Sequence, residues 1–462
     1  MNRLWTAVWA GLLMLLLSGC IFRTPDELYQ LPARTPGHEE LTRSIEEVRR
    51  ELDAQYGTTV ETAVIYSGDN TSNIQLQDLD GDGEKETAVT FFRVPGAERP
   101  LRIYFFTLQA DGSYQVTSII EGAGSAIYGV DYADLRGDGK KEVVVRWQTG
   151  TNVYQLGVYS LDSAQEGETV APGRPGATEL MMTAYSGYSL LDIDQDTRNE
   201  LAVIRVDPQG ANDLVEIYGW SGGAFLLLGS TRLSAGITAI NRVRANFVSD
   251  SVRALYVTGT LLDGSRATDI IVWRGGAPVN LTLNPETGIS VETLRGYGSV
   301  GPSDVNDDMI LEMPRPNLLP SYTGGASSDY WLVNWLQYDV NGSARKVTTT
   351  YHNTMDNWYL EIPEEWLGEI TIGRDDSVTG ERAVVFYFWN GAEEEPTPFL
   401  AVYQLSGVNR GIRASQGDRF ILSEDDSTIY AASFLDSKRD CGLEEMDVLA
   451  RFHRILSGWA GE

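Results

Sequence analysis

Asp78-Leu79-Asp80-Gly81-Asp82-Gly83-Glu84-Lys85-Glu86 sets acidic residues at alternate positions around two glycines, and the same frame returns along the chain. A second copy is Asp134-Leu135-Arg136-Gly137-Asp138-Gly139-Lys140-Lys141-Glu142, and a third is Asp192-Ile193-Asp194-Gln195-Asp196-Thr197-Arg198-Asn199-Glu200. The last, Asp304-Val305-Asn306-Asp307-Asp308-Met309-Ile310-Leu311-Glu312, keeps the acids and places Asn306 at the third position. Between them Asn246-Phe247-Val248-Ser249-Asp250-Ser251-Val252-Arg253-Ala254 keeps the frame and loses most of the acids. The starts at 78, 134, 192, 246 and 304 lie 56, 58, 54 and 58 residues apart. A fixed period of this size marks a repeat architecture.

The flanks of these loops are runs of alternating Val, Ile, Tyr and Phe closed by Gly, Asp or Asn, which read as strands. After Glu142 the second unit offers Val143 to Trp147, Val153 to Leu161, Leu180 to Tyr185 and Tyr188 to Asp192. Four strands in each period make a propeller blade. The expected fold is all-β, a β-propeller of six or seven four-stranded blades over residues 58–436, with Val60 to Tyr66 closing the ring against the last strands. Leu41, Ile45, Val48 and Leu52 follow helical spacing and predict a short N-terminal amphipathic helix over 38–57. Leu443, Met446, Leu449, Phe452 and Leu456 predict a C-terminal helix within 437–462.

The loop chemistry suits calcium, which takes six to eight oxygen ligands that carboxylates at positions one, three and five can supply together. Position seven would add a backbone carbonyl, and glycine at six, Gly83 and Gly139, permits the sharp turn. An EF-hand is excluded, because position twelve of the first copy is Val89 and the flanks are strands. The last acid instead falls at position nine. This strand, acidic loop, strand arrangement resembles the FG-GAP repeats of integrin-alpha-type β-propellers and the related VCBS repeats of bacterial surface proteins. The Phe-Gly and Gly-Ala-Pro signatures of that family are absent from their places, and Gly276-Ala277-Pro278 is the one misplaced trace. The resemblance implies a propeller and does not imply a particular function. The expected ligands are Asp78, Asp80, Asp82, Glu84 and Glu86, then Asp192, Asp194, Asp196 and Glu200, then Asp304, Asn306, Asp308 and Glu312. In the second loop the candidate ligands are Asp134, Asp138 and Glu142, a weaker set because the charge of Arg136 competes with an ion by pairing with Asp134 and Glu142. The degenerate copy, with Val248 and Ala254 at ligand positions, is expected to be empty. The competing account of every loop is a polar turn that needs no ion.

Composition narrows the function. The chain has 462 residues, of which 42% are apolar and 22% charged, with 47 glycines and 22 tyrosines, a profile of strands and tight turns. Its 36 basic and 65 acidic residues give a charge of −29, which argues against a nucleic-acid partner. Two cysteines exclude a disulfide framework, and Cys441 reads as a structural thiol. The three histidines, His38, His352 and His453, are assigned to separate segments, so no Ser-His-Asp site is indicated and catalysis is not the expected role.

Residues 1–19 read as a signal peptide, with Arg3, an apolar run from Leu4 to Leu17 and small residues before Cys20. That run is short of the roughly twenty residues a permanent span needs. Leu17-Ser18-Gly19-Cys20 resembles the bacterial lipoprotein lipobox, which implies cleavage before Cys20 and lipidation of that residue. Residues 20–37, with Pro25, Pro32 and Pro36, form the expected tether. Without Arg3 the charge is 35 − 65 = −30, so the lipid alone would hold the chain at the membrane. The expected place is the extracytoplasmic face of a bacterial membrane.

Between Met313 and Asp329 the repeat is broken by Pro314, Pro316, Pro320, Tyr322 and Gly324-Gly325, with Trp331, Trp335, Trp358 and Trp366 nearby. These aromatics either form a platform for sugar rings or a protein partner, or fill the space between blades. The expected function is a membrane-anchored, calcium-binding module for an extracellular protein or glycan. The alternatives are a surface hydrolase or lyase acting on glycan at the axial face, and an envelope assembly scaffold.

Overall fold

The structure, a computed structural model, describes residues 36–161, 177–207, 212–296, 300–320, 322, 330–391 and 395–455. The expected signal peptide, Cys20, the tether up to Thr35 and Leu456 lie outside these residues. The chain is nearly all β, and among the described residues six sheets of four or five strands follow one another. In the first, Glu61–Thr62 and Ile74–Gln77 both pair with Thr87–Arg93, which leads to Leu101–Leu108 and Tyr114–Gly122. The second runs Ala126–Ala133, Glu142–Gly150, Val153–Leu161, Ala177–Ala184, and the third Gly187–Leu191, Glu200–Arg205, Leu214–Ser221, Ala224–Arg232. The fourth runs Ile237–Ser249, Val252–Leu261, Arg266–Arg274, Ala277–Asn280. The fifth is Met313–Leu318, Trp331–Tyr338, Ala344–Asn353, Trp358–Glu361 and Phe452–Arg454. The sixth is Ile370–Asp375, Glu381–Phe388, Thr397–Ser406, Thr428–Phe434 and Phe420–Glu424. Successive strands that neighbour one another in small repeated sheets are the blades of a β-propeller.

Strands next to the acidic loops are apolar on both faces. Thr87–Arg93 and Glu200–Arg205 are buried at every position but the last, as strands covered on both sides must be. Outer strands alternate or open to solvent, as at Ala224–Arg232, where Leu226 and Leu227 are exposed.

By contact the chain divides into two compact units, Met1–Val130 with Trp147–Thr149 and Tyr159–Thr178, and Asp131–Arg146 with Gly150–Val158 and Glu179–Glu462. In the first unit, helix α1 (Pro36–Tyr56) begins on a proline, whose fixed φ suits the first helical turn. It buries Leu41, Ile45 and Leu52 against Phe92, Tyr104, Phe106 and Ile119, with Val48 half-buried beside them. The segment after it, expected to close the ring, pairs within its own sheet. Glu61 and Thr62 pair with Arg93 and Phe92 of the same sheet, and Ile65 bridges Ile127.

In the second unit, Tyr188–Asp192 does not complete the second sheet but opens the third, which therefore starts one strand before its acidic loop, as the second does. The C-terminal helix is shorter than its periodicity predicts, spanning Glu445–Arg451 only. Val448 is its buried residue, and Met446 is 74% exposed. Phe452–Arg454 instead adds a strand beside Trp358–Leu360, where Phe452 packs on Trp358 and Tyr430. Backbone pairing and ring burial outweigh helix continuation there, and they move His453 from the expected helix to a strand. Trp335, Trp358 and Trp366 are buried in cores. Met313–Leu318 is a strand and not a loop, its two prolines tolerated at the sheet edge. Residues 321 and 323–329 of the expected loop lie outside the described residues. Among the described residues no helix is long and apolar enough to cross a membrane.

Candidate metal centre

The first acidic loop joins Ile74–Gln77 to Thr87–Arg93, the next two join the first two strands of the second and third sheets, and the last leads into Met313–Leu318. All four share one backbone. The fourth and sixth positions are left-handed throughout, at Gly81 and Gly83 (φ 82° and 93°), Gly137 and Gly139 (71° and 84°), Gln195 and Thr197 (66° and 77°), and Asp307 and Met309 (58° and 68°). This geometry turns successive N–H groups inward onto the acids. The first-position carboxylate accepts from Gly81 at 2.8 Å, from Gly137 and Gly139 at 2.7 and 2.9 Å, from Thr197 at 3.1 Å, and from Asp308 and Met309 at 3.1 and 2.7 Å. The fifth-position carboxylate accepts from the seventh N–H in every copy, at 2.8 to 3.0 Å. In three loops the ninth-position glutamate is buried and accepts the second N–H: Glu142 from Leu135, Glu200 from Ile193, Glu312 from Val305.

The loops part company at their remaining carboxylate oxygens. In the first, in the first compact unit, oxygens of Asp78, Asp80, Asp82 and Glu86 lie within 4.8 Å of one another. Glu86 Oε2 is buried and has no hydrogen-bond partner. Burial, with the charges of Asp80 and Asp82, raises the Glu86 pKa. Glu84 is exposed and outside this group. In the second unit, oxygens of Asp192, Asp194 and Glu200 meet the same 4.8 Å criterion, and Asp192 Oδ1 is buried without a partner. Burial, with Asp194 and Asp196 nearby, pushes Glu200 up to about 7, and burial, with Asp196 and Asp192, raises Asp194. An orphaned, desolvated carboxylate oxygen is costly unless a cation or proton meets it. Both clusters therefore fit a hard cation bound through oxygen. Asp196, expected beside them, turns to Arg198, whose Nε donates to it at 3.0 Å.

Two loops carry their own substitute for an ion. Arg136 Nε donates to Glu142 at 2.6 Å and its Nη2 pairs with Asp138 at 3.1 Å. The expected pairing with Asp134 is not made, since Asp134 is held by the glycine N–H groups. In the last loop, Gln337 Nε2 donates to Asp308 at 2.8 Å and Glu312 at 3.0 Å, while Gln337 Oε1 accepts from Arg345. Asn306 donates to Asp308 at 3.0 Å. Asp308 and Glu312 are thus tied by the side-chain amides of Asn306 and Gln337 and Asp304 by backbone N–H groups, and these residues do not converge as the other two sets do. Burial still pushes Glu312 up to about 7, with Asp308 and Asp304 adding to it. The degenerate copy is no loop at all: Asn246 pairs with Ala254 and Phe247 with Arg253 across a hairpin.

Arg136 stands inside its loop and was readable as a competitor. Gln337 and its link to Arg345 come from the next two strands, and no spacing within the loop announces them. The left-handed sixth position was legible in Gly83 and Gly139, but Thr197 and Met309 hide it elsewhere, and the left-handed fourth position was not read.

Residues 78–145 match the FG-GAP-like repeat family, so the chain contains a repeat of this kind. The matched stretch holds the two loops with glycine at both left-handed positions. No curated protein matches the chain.

Proposed function

We propose that the protein is a calcium-stabilised β-propeller interaction module, lipid-anchored through Cys20 at the extracytoplasmic face of a bacterial membrane, which binds an extracellular protein or glycan. The observation that supports it most is the pair of acidic clusters with a buried, unpartnered oxygen at Glu86 and at Asp192. Calcium would be held by Asp78, Asp80, Asp82 and Glu86 in one loop and by Asp192, Asp194 and Glu200 in the other, and supplies the positive charge these oxygens lack. The left-handed turns orient the carboxylates before any ion arrives, because backbone N–H groups already fix one oxygen of Asp78, Asp80 and Asp82 in the first loop and of Asp192, Asp194 and Glu200 in the third. Binding to the folded chain alone stabilises it, by about 2.7 kcal/mol per site at a hundredfold excess over Kd. Rigid blades then present the outer loops and edges as a recognition surface.

Metal analysis of the full chain purified in detergent tests the sites. Two calcium ions per chain are expected, one lost in Asp80→Asn and the other in Asp194→Asn. Absence of calcium, or a content unchanged in both variants, would refute the ion assignment. The anchor is tested separately: Cys20→Ala should move the protein out of the membrane fraction.

A further inference from the structure

In the second compact unit, a cleft of about 480 Å³ opens beside strand Ile370–Asp375, lined by Tyr322, Tyr330, Thr371, Arg374, Tyr387 and Glu395 among others. None of its three tyrosines is fully buried, although Tyr330 packs against the neighbouring core. Tyr322 is 52% exposed and stands edge-on to Trp389, with ring centroids 5.7 Å apart. Tyr330 and Tyr387 are half-buried, and Tyr330 leans against Tyr351 at 6.4 Å. A Cβ at Gly373 would lie 2.9 Å from Tyr387 Cε2, so the missing side chain is what lets the Tyr387 ring lie over the strand. Within the protein, none of the three hydroxyls has a hydrogen bond among the described residues. Each phenol therefore remains both donor and acceptor for an incoming group.

The charges of the cleft define what it accepts. Arg374 is already committed, its Nε to Asp376 at 2.7 Å and its Nη2 to Asp356 at 3.1 Å. The Thr371 hydroxyl donates to the Pro320 carbonyl at 2.6 Å. Among the described residues that leaves an exposed carboxylate, Glu395, as the uncompensated charge of the cleft, on a chain of net charge −29. A polyanion is repelled by such a site, and a cation would use the rings and the carboxylate but cannot accept from the three hydroxyls. A proline-rich peptide would use the rings and accept from the hydroxyls through its carbonyls, but having few N–H groups it offers little to Glu395 or to the acceptor side of the phenols. A ligand with apolar faces and a rim of hydroxyls satisfies both.

We infer that this cleft is a binding site for neutral glycan, with Tyr322, Tyr330 and Tyr387 as stacking platforms for pyranose rings and their hydroxyls, with Glu395, as hydrogen-bonding partners. The volume admits a ligand of small-molecule size, so the site reads one or two sugar units of a longer chain. This deepens the reading of the protein as an interaction module by naming its ligand class.

The test is retention of the full chain in native gels containing soluble β-glucan, xylan, mannan or starch, with dextran sulfate and a proline-rich peptide as the competing ligand classes. The expected result is retardation by at least one neutral polysaccharide. Tyr387→Ala and Tyr330→Ala should each weaken it about tenfold, equivalent to about 1.4 kcal/mol, at an unchanged melting temperature. Tyr322→Ala, at an exposed ring, keeps the test decisive should Tyr387→Ala fail to fold. Retardation by none of the four, retardation untouched by the tyrosine variants, or preference for dextran sulfate or the peptide would each overturn the proposal. Capture of a protein partner without glycan retention would overturn it and leave the module reading standing, whereas a chain that binds neither metal nor any partner fails the module reading itself.

Discussion

Thr197 holds a φ of 77° although its side chain is β-branched, a conformation that glycine adopts at no steric cost. Its N–H nevertheless donates to Asp192, so the turn geometry outweighs the backbone strain. Thr197→Gly should therefore stabilise the protein by about 1 kcal/mol, read as a raised melting temperature with calcium content unchanged; a lowered melting temperature would contradict the strain. Glu200 makes a second prediction. Its pKa of about 7 lies above the 4.5 of an unburied glutamate, so the ion-free folded state holds a proton that the unfolded state has released between these values. The stability contributed by that proton is present below about pH 4.5 and lost as pH rises through 7. Calcium competes with the same proton. The rise in melting temperature that calcium produces should accordingly grow from pH 5 to pH 7.5, and Glu200→Gln should flatten this dependence. An equal calcium shift at both pH values would count against Glu200 as a ligand.

The loops are best compared as whole turns, since one backbone carries three electrostatic solutions. Where carboxylate oxygens are left over, an ion fits; where Arg136 enters, a guanidinium takes its place; where Gln337 reaches across, an amide does. Arg136→Asp restores an acid at the third position and removes the competing charge, so it should add one calcium ion per chain by metal analysis. No added ion would show that the second loop is closed to metal for another reason. The sequence exposed the common turn because glycines and acids recur at fixed positions within nine residues. It did not expose the role of Gln337 or of Arg198 over Asp196, because those side chains are placed by strand pairing and packing and not by the loop's own frame. The same limit explains Phe452. Its spacing from Leu449 is helical, yet the decisive partners, Trp358 and Tyr430, come from two other hairpins.

Across the molecule, the repeat period, the six sheets and the two-sided burial of strands such as Thr87–Arg93 follow from one sequence pattern. Blade boundaries were harder to read, because in the second and third sheets the acidic loop sits between the first and second strands, and the preceding strand, as at Tyr188–Leu191, resembles the end of the earlier unit. The excess of acid over base also has one consequence for the whole chain. Carboxylates gathered in loops repel one another unless a cation joins them, so stability should depend on free calcium more than on ionic strength. The most direct measurement is thermal unfolding of the full chain in detergent, in chelator and in millimolar calcium, with metal content determined on the same samples. A lower melting temperature in chelator, restored by calcium with about two ions rebound, is the predicted result. Superimposable melting curves with no metal bound would contradict it and reduce the acidic loops to turns.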